Sequence, residues 1–389
     1  MEPLLYPHDR QQPQKKQEAL GELLEIVRER ALTGEFDALR HIPGDIIQRF
    51  RQSGVYRALV PARFGGEEQG AAAFCELIEK ISHADGSAGW VASFGMSPVY
   101  LAALPLETLR KVYADGPDIV FAGGIFPPQP AQVVAGGMKV RGRWKFASGC
   151  MGADLVGVGI TPQAGDTPGL PRMAVMPRHR ARIEETWDTV GLAGTGSHDL
   201  VVEDVVVPEE WTFVRGSAAN LDEPIFRYPA LAFATQVLSV VGLGVARRAL
   251  DEVRAQAEKT PSVTGAPALG QRPAALMDIA RAEAKLRSAR AFFYDAIHEA
   301  WQRLLKGDEI TLHQANMLRL SSTHAVRVAA SVCREMQMMT GMGSIVRNNP
   351  LARCVNDAQA ITQHAFMGEH TWQLAGAVLC GQPAQPGWL

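Results

Sequence analysis

The sequence predicts a mainly α-helical chain with a central antiparallel β domain set between two helical regions. Three observations carry this reading. Apolar residues recur at helical spacing from residue 14 to about residue 115. The period then falls to two, punctuated by Gly and Pro, as far as about Phe213, and helical spacing returns from Tyr228 onward. The chain divides accordingly into an N-terminal helical domain (1–115), a β domain of barrel or sandwich type (116–215) and a C-terminal four-helix bundle (216–389).

Each element has a local reason. In "QKKQEALGELLEIVRERAL" the residues Leu20, Leu23, Leu24 and Val27 fall on one helical stripe. "PGDIIQRFRQSG" opens on Pro43 and closes on Gly54, the order in which these residues start and stop helices. "AAAFCELIEKISHADGSAGWVASF" gives two helical pieces broken around Gly86, and "PLETLRKVYADG" gives another. Runs such as "DIVFAGG", "DLVGVGIT" and "HDLVVEDVVVP" are short, β-branched and alternating, as strands with one buried face are. The segments "RPAALMDIARAEAKLRSARAFFYDAIHEAWQRLL" and "TLHQANMLRLSSTHAVRVAASVCREMQMMTG" are longer than average globular helices, as bundle helices are.

Composition removes several functions from consideration. The 389 residues are 47% hydrophobic and 21% charged, which is the make-up of a folded globular protein. A net charge of −2, from 39 basic and 41 acidic residues, lacks the basic excess that nucleic acid demands. The cysteines (Cys75, Cys150, Cys333, Cys354, Cys380) form no CxxC pair, so they suit a reducing cytoplasm and offer no metal-ligand spacing. The N-terminal "MEPLLYPHDRQQPQKKQEAL" has no apolar core of a signal peptide. The long apolar stretch "YPALAFATQVLSVVGLGVARRAL" is interrupted by polar residues and ends in two arginines, so it is expected in the core rather than in a membrane.

No Walker loop, HExxH or GxSxG is present, and the glycines of "GLGVAR" lie within a helix with no preceding strand, so they are no dinucleotide fingerprint. The stretch "NDAQAITQHAFMGEH" is more informative. Read as helix, it places Asp357 and His364 on one face, seven residues or about two turns apart. A lone histidine on an apolar helix face is by itself more often a packing residue than a catalyst.

Five stretches in order bring in a family: "FGGEEQG" (64–70), "SHADGSAGWVAS" (82–93), "GRWKFASG" (142–149), "GLAGTGSHDLVVEDVVVPEE" (191–210) and "NPLARCVNDAQAITQH" (349–364). With the helix–sheet–helix order they resemble the acyl-CoA dehydrogenase fold. Within it they resemble the group D, two-component flavin-dependent monooxygenases, whose oxygenase components act on p-hydroxyphenylacetate, steroid phenols, indoles or dibenzothiophene. The resemblance implies reduced FAD or FMN delivered by a separate NAD(P)H-flavin reductase, O2 as co-substrate, a C4a-hydroperoxyflavin as oxidant, and a homotetramer built through the C-terminal bundle.

The same resemblance implies residue roles. Phe146, Ser148 and Gly149 match the strand end that meets the flavin ring, with the Ser148 hydroxyl able to hold the N5–H of a reduced flavin. Thr195 and Ser197 would lie near the same cofactor. His364 stands where these monooxygenases carry a histidine, and an imidazole titrating near its ordinary value accepts a proton from a phenol or indole. Trp90, Phe94, Met96 and Ser97 would line the substrate site. Relatives that hydroxylate phenols carry a His after their Trp-Val pair; here Met96 or Ser97 is nearest, which favours something other than a simple phenol, such as an indole ring, a thiophene-type sulfur or an amine.

Two departures are visible. Asn356 replaces an Arg common in the family, and Lys259 and Arg272 lack the Arg-x-x-Phe-Gly context of flavin-phosphate contacts. The alternatives are an acyl-CoA dehydrogenase with Glu369 as a displaced base, or a catalytically silent flavin-binding member. Ala365 and Ala234, where dehydrogenases place their base, are not carboxylates.

Overall fold

The computed structural model describes residues 12–164, 167–168, 171–214, 216–257, 265–385 and 388. The N-terminal stretch screened for a signal peptide falls mostly outside that set, as does Lys259; Arg272 donates from Nε to the Pro267 carbonyl at 2.6 Å. Helices α1 (Gln12–Leu32), α2 (Glu35–Leu39), α3 (Gly44–Gln52), α4 (Ala71–Ala84), α5 (Gly86–Ser93), α6 (Ser97–Leu101) and α7 (Leu106–Val112) come first. The sheet follows, and then α8 (Ala230–Ala257), α9 (Pro273–Leu305), α10 (Leu312–Thr340), α11 (Pro350–Thr362) and α12 (His370–Leu379).

The break around Gly86 has a cause. Asp85 ends α4 in an extended conformation, and its carboxylate accepts from the Ala88 N–H at 2.9 Å, so it caps α5. Helix α10 starts on a reciprocal capping box between Thr311 and Gln314. Helix α8 is long and apolar enough to cross a membrane by length and composition, yet 83% of its apolar window is buried within the fold, against α4 and α10. The apolar stretch is therefore spent on the core, where each fully buried large aliphatic or aromatic side chain contributes about 1.5–3 kcal/mol.

Strands β1 (Phe121–Val134), β2 (Gly137–Ala147), β3 (Leu155–Ala164), β4 (Thr167–Pro168), β5 (Arg172–Pro177), β6 (Arg182–Glu184), β7 (His198–Val207) and β8 (Thr212–Val214) form one sheet. Their order is β6-β7-β2-β1-β3-β5-β8, with β4 on β3. The expected antiparallel sheet needs one amendment, because β1 and β3 run parallel, with Phe121 opposite Leu155. The β1–β2 hairpin occupies one side of β1, and the returning chain lays β3 along the other side in the same direction as β1. Period-two patterning reports which face is buried and carries no information on neighbour direction.

Candidate active site

The end of β2 and the start of β7 lie side by side, since Ala147 pairs with His198 in an antiparallel register. Residues one step beyond that pair, Ser148 and Ser197, must therefore face each other, and their hydroxyls are 2.7 Å apart. The register slips between Trp144 and Ala147, and Phe146 adopts a left-handed φ of 64°. A bulky residue rarely takes that conformation, and such irregularities concentrate at functional sites. It leaves the Phe146 ring 66% exposed, edge-on to Trp187 at 6.2 Å. Gly149, with φ 74°, then turns the chain and donates its N–H to the Thr195 carbonyl at 2.9 Å.

From this point a continuous hydroxyl chain runs inward. Trp90 Nε1 donates to Ser148 Oγ at 3.1 Å, Ser197 Oγ lies 2.7 Å from Thr195 Oγ1, and Thr195 Oγ1 donates to the Leu192 carbonyl at 2.9 Å. Ser148, Thr195 and Ser197 are all buried. Leu192 is itself constrained. Its φ of 51° is left-handed, which costs a non-glycine residue about 1–2 kcal/mol. Its carbonyl also accepts from Trp187 Nε1 at 3.0 Å, and its N–H donates to Asp357 Oδ1 at 2.6 Å.

Asp357 belongs to a second, ionic cluster. Arg353, one turn earlier on α11, donates to the Asp85 carboxylate at 2.6 Å and pairs with Asp37 at 3.5 Å. Burial, with the neighbouring Asp85, pushes the Asp357 carboxyl up to about 7, against the pull of Arg353 and the Leu192 N–H. Two glycines permit the approach. A Cβ on Gly86 would sit 2.5 Å from Asp357 Oδ2, and one on Gly191 would sit 2.1 Å from the Asn356 carbonyl. The ionic cluster thus ties the α5 cap, and with it the helix carrying Trp90, to the loop carrying Thr195 and Ser197. Among these anchors only Asp357 figured in the sequence reading; an Asp ahead of the Gly86 break and the i, i+4 spacing of Arg353 and Asp357 were the available signals.

His364 departs from expectation in two ways. It does not share a helix face with Asp357, because α11 ends at Thr362 and His364 is extended, with ψ 138°. Its Nδ1 accepts from the Phe366 N–H at 3.2 Å, and this local bond starts a 3-10 turn at Ala365–Met367 in place of further helix. Nor does it titrate near its ordinary value: burial, with the Arg319 guanidinium nearby, lowers it to about 4. Since a backbone N–H can only donate, Nδ1 is unprotonated and the neutral ring carries its proton on Nε2. With Nδ1 so engaged, the ring has its Nε2–H to offer as a hydrogen-bond donor. It stands edge-on to Trp90 at 5.7 Å and to Phe366 at 4.8 Å.

The structure thus joins Trp90, Ser148, Gly149, Thr195 and Ser197 through hydrogen bonds and adds His364 through ring contact. Among the described residues no hydrogen bond or ring contact ties Phe94, Met96 or Ser97 to this group; Met96 and Ser97 are buried where α6 begins. Glu369 is 82% exposed and pairs with Arg327 at 3.3 Å, so it is turned away from the role of a displaced base. No group of three or more metal-ligating side chains occurs among the described residues.

Comparison with known proteins follows this geometry. Residues 236–369 match the family model described as "Acyl-CoA dehydrogenase, C-terminal domain". The chain is 67% identical over 371 residues to an indole-3-acetate monooxygenase of Pseudomonas putida, covering 95% of each. It is 28% identical over 356 residues to the oxygenase subunit of a flavin-dependent monooxygenase, HsaA, of Rhodococcus jostii, covering 89% of this chain and 93% of that one. The crystal structure of 3-HSA hydroxylase from Rhodococcus sp. RHA1 superimposes with a TM-score of 0.88 at 27% identity, covering 96% of this chain and 99% of the other.

Proposed function

The chain belongs to the flavin-dependent monooxygenases built on the acyl-CoA dehydrogenase fold, and from that premise we propose that its substrate is indole-3-acetate or a close indole analogue, bound against Trp90 and His364. It is an oxygenase component: a separate reductase supplies reduced flavin, and an aromatic or heteroaromatic small molecule is oxygenated. The observation that carries the substrate assignment is the near full-length similarity to the Pseudomonas putida enzyme. The row of aromatic rings from Trp90 through His364 to Phe366 supports it, because a flat bicyclic ring gains from edge and face contacts with them.

The residues present suit a reduced flavin. When bound, this group supplies the electrons that activate O2. Ser148 would hold the group at its N5 edge, with Thr195 and Ser197 keeping Ser148 in place, and the open Phe146–Trp187 ledge would offer apolar surface to its ring. Ser148 and its partners Trp90, Thr195 and Ser197 are buried, so a proton held at Ser148 would be shielded from water. His364 would offer its Nε2–H to the substrate and orient it, as a neutral donor does without carrying charge into an apolar site.

The quaternary reading is a homotetramer. Met338, Met342, Ile345 and Val346, at the end of α10 and just after it, are 60–78% exposed and give the C-terminal bundle an apolar surface for self-association. The cytoplasm is the proposed location, since all five cysteines are free thiols.

Oxygen uptake in the presence of a flavin reductase, NADH and a panel of ring compounds tests the substrate. Indole-3-acetate should give the highest product yield per O2 consumed. Higher coupling with a simple phenol, and none with indoles, would overturn the assignment. The panel repeated with FAD and with FMN decides the flavin, and light scattering should read four chains per particle.

A further inference from the structure

The hydroxyl chain has a direction that donor and acceptor chemistry fixes without reference to any hydrogen position. At one end the Leu192 carbonyl can only accept, so the Thr195 hydroxyl spends its proton there, at 2.9 Å. Thr195 Oγ1 then has only lone pairs to offer Ser197 at 2.7 Å, so the Ser197 proton points at Thr195. Ser197 in turn can only accept from Ser148, 2.7 Å away. At the other end the Trp90 indole N–H can only donate, and it takes one lone pair of Ser148 at 3.1 Å. Every hydroxyl proton is thereby committed. Ser148 Oγ keeps one lone pair and has no hydrogen left to give.

We propose that this polarised relay, with Thr195 and Ser197 as positioning residues, makes Ser148 an obligate acceptor and so selects reduced over oxidised flavin. The proposal rests on the reading above that Ser148 meets flavin N5. A reduced flavin presents N5–H, a donor, which the free lone pair of Ser148 satisfies. An oxidised flavin presents N5 as an acceptor, and two acceptors then face each other in a buried site. Leaving a buried polar group unpaired costs about 1–3 kcal/mol, on the order of tenfold or more in affinity. Such a device suits a protein that must take reduced flavin from one partner and release the oxidised form after turnover.

The anchor of the relay is built to hold this sense. The Leu192 carbonyl also accepts from Trp187 Nε1 and from the Thr195 N–H, which fixes that oxygen in place beside the Thr195 hydroxyl. A reversed relay would turn the Thr195 oxygen's lone pair toward that carbonyl and leave Ser148 with two donors aimed at it and its own proton free.

The test is anaerobic titration of the full chain with the same flavin in both redox states, giving a ratio of dissociation constants. The unmodified protein should favour reduced flavin by about tenfold or more. In Thr195→Val, Ser197 loses its acceptor and turns its proton to Ser148, whose own proton is then released toward N5; the ratio should collapse about tenfold. Thr195→Ser keeps the relay and should restore the ratio. Ser148→Ala should abolish the preference. If Ser148→Ala collapses the ratio and Thr195→Val leaves it unchanged, or if Thr195→Val weakens both redox forms equally, the relay is overturned while the N5 contact stands. If Ser148→Ala leaves the ratio unchanged, the N5 contact itself fails and the relay with it.

Discussion

Two buried polar clusters meet at Leu192, and they are made of opposite materials. On its carbonyl side lie neutral hydroxyls: Thr195, Ser197 and Ser148. On its N–H side lie three carboxyl groups and a guanidinium: Asp357, Asp85, Asp37 and Arg353. The hydroxyl chain sits where a ligand is expected and needs no counter-ion, so its protons can be set by whichever fixed donor or acceptor ends it. The ionic cluster sits away from the ligand, between helices, where each charge is held by another and removal of one strands the rest. Nature here uses charge for scaffolding and neutral oxygen for discrimination. The division makes physical sense, since a charge beside the flavin edge would bias its redox chemistry as well as bind it.

Breaking the ionic side should produce the largest effect. Arg353 is mostly buried and faces Asp85 at 2.6 Å and Asp37 at 3.5 Å, so Arg353→Ala leaves buried carboxylates uncompensated and should destabilise the fold by about 3–5 kcal/mol in urea unfolding. Loss of flavin preference without loss of stability would reverse the roles assigned to the two clusters.

A smaller effect is expected at His364. His364→Gln keeps a donor in place of Nε2–H and should leave KM for the indole within a few-fold, whereas His364→Phe should raise KM about tenfold, the worth of one buried hydrogen bond. Because burial holds this histidine at about 4 in the folded state, below its ordinary value, the unfolded chain binds the extra proton first as pH falls. Its contribution to stability is therefore present at neutral pH and is lost as pH drops from about 6.5 toward 4. A kcat/KM profile with a limb near 6.5 that His364→Gln removes would instead make it a base.

A further effect, read as a pH slope, is expected at Asp357, whose shift runs the other way. A carboxyl raised to about 7 holds its proton in the folded state after the unfolded chain has released it, so stability attributable to it falls as pH rises from about 4 to 7. Asp357→Asn should flatten that slope. Two neighbouring groups shift as well, since burial raises Asp37 and lowers His83, so the difference between the Asn variant and the unmodified protein carries the assignment. Unfolding at pH 5 and pH 8 reads the difference directly; an unchanged slope in the Asn variant would place the titration on another group.

Ser148 was singled out through the family resemblance of its stretch, whereas the helices and strands were legible because each follows from local pattern: apolar period, caps, and turn residues. The parallel pairing of β1 and β3 was not, since alternation is the same whichever way a neighbour runs. The end of α11 was missed for a related reason. "AITQHAFM" has helix-compatible residues throughout, and what stops the helix is the imidazole of His364 taking the Phe366 N–H, a choice visible only once the ring is placed. That one bond also commits Nδ1 as an acceptor and leaves the Nε2–H to give. The ionic cluster draws Asp37, Asp85 and the α11 pair Arg353 and Asp357 from three separate places in the chain, and beyond the i, i+4 spacing of that pair, long-range charge pairing leaves no periodic trace.

The central claim is that this site carries oxygen from O2 to an indole ring. A single turnover tests it: the anaerobic complex of protein, reduced flavin and indole-3-acetate is mixed with isotopically labelled O2, and the products are analysed by mass. The account predicts an indole product carrying one labelled oxygen atom and little hydrogen peroxide. Peroxide in amounts equal to the flavin oxidised, with the indole recovered unchanged, would contradict it.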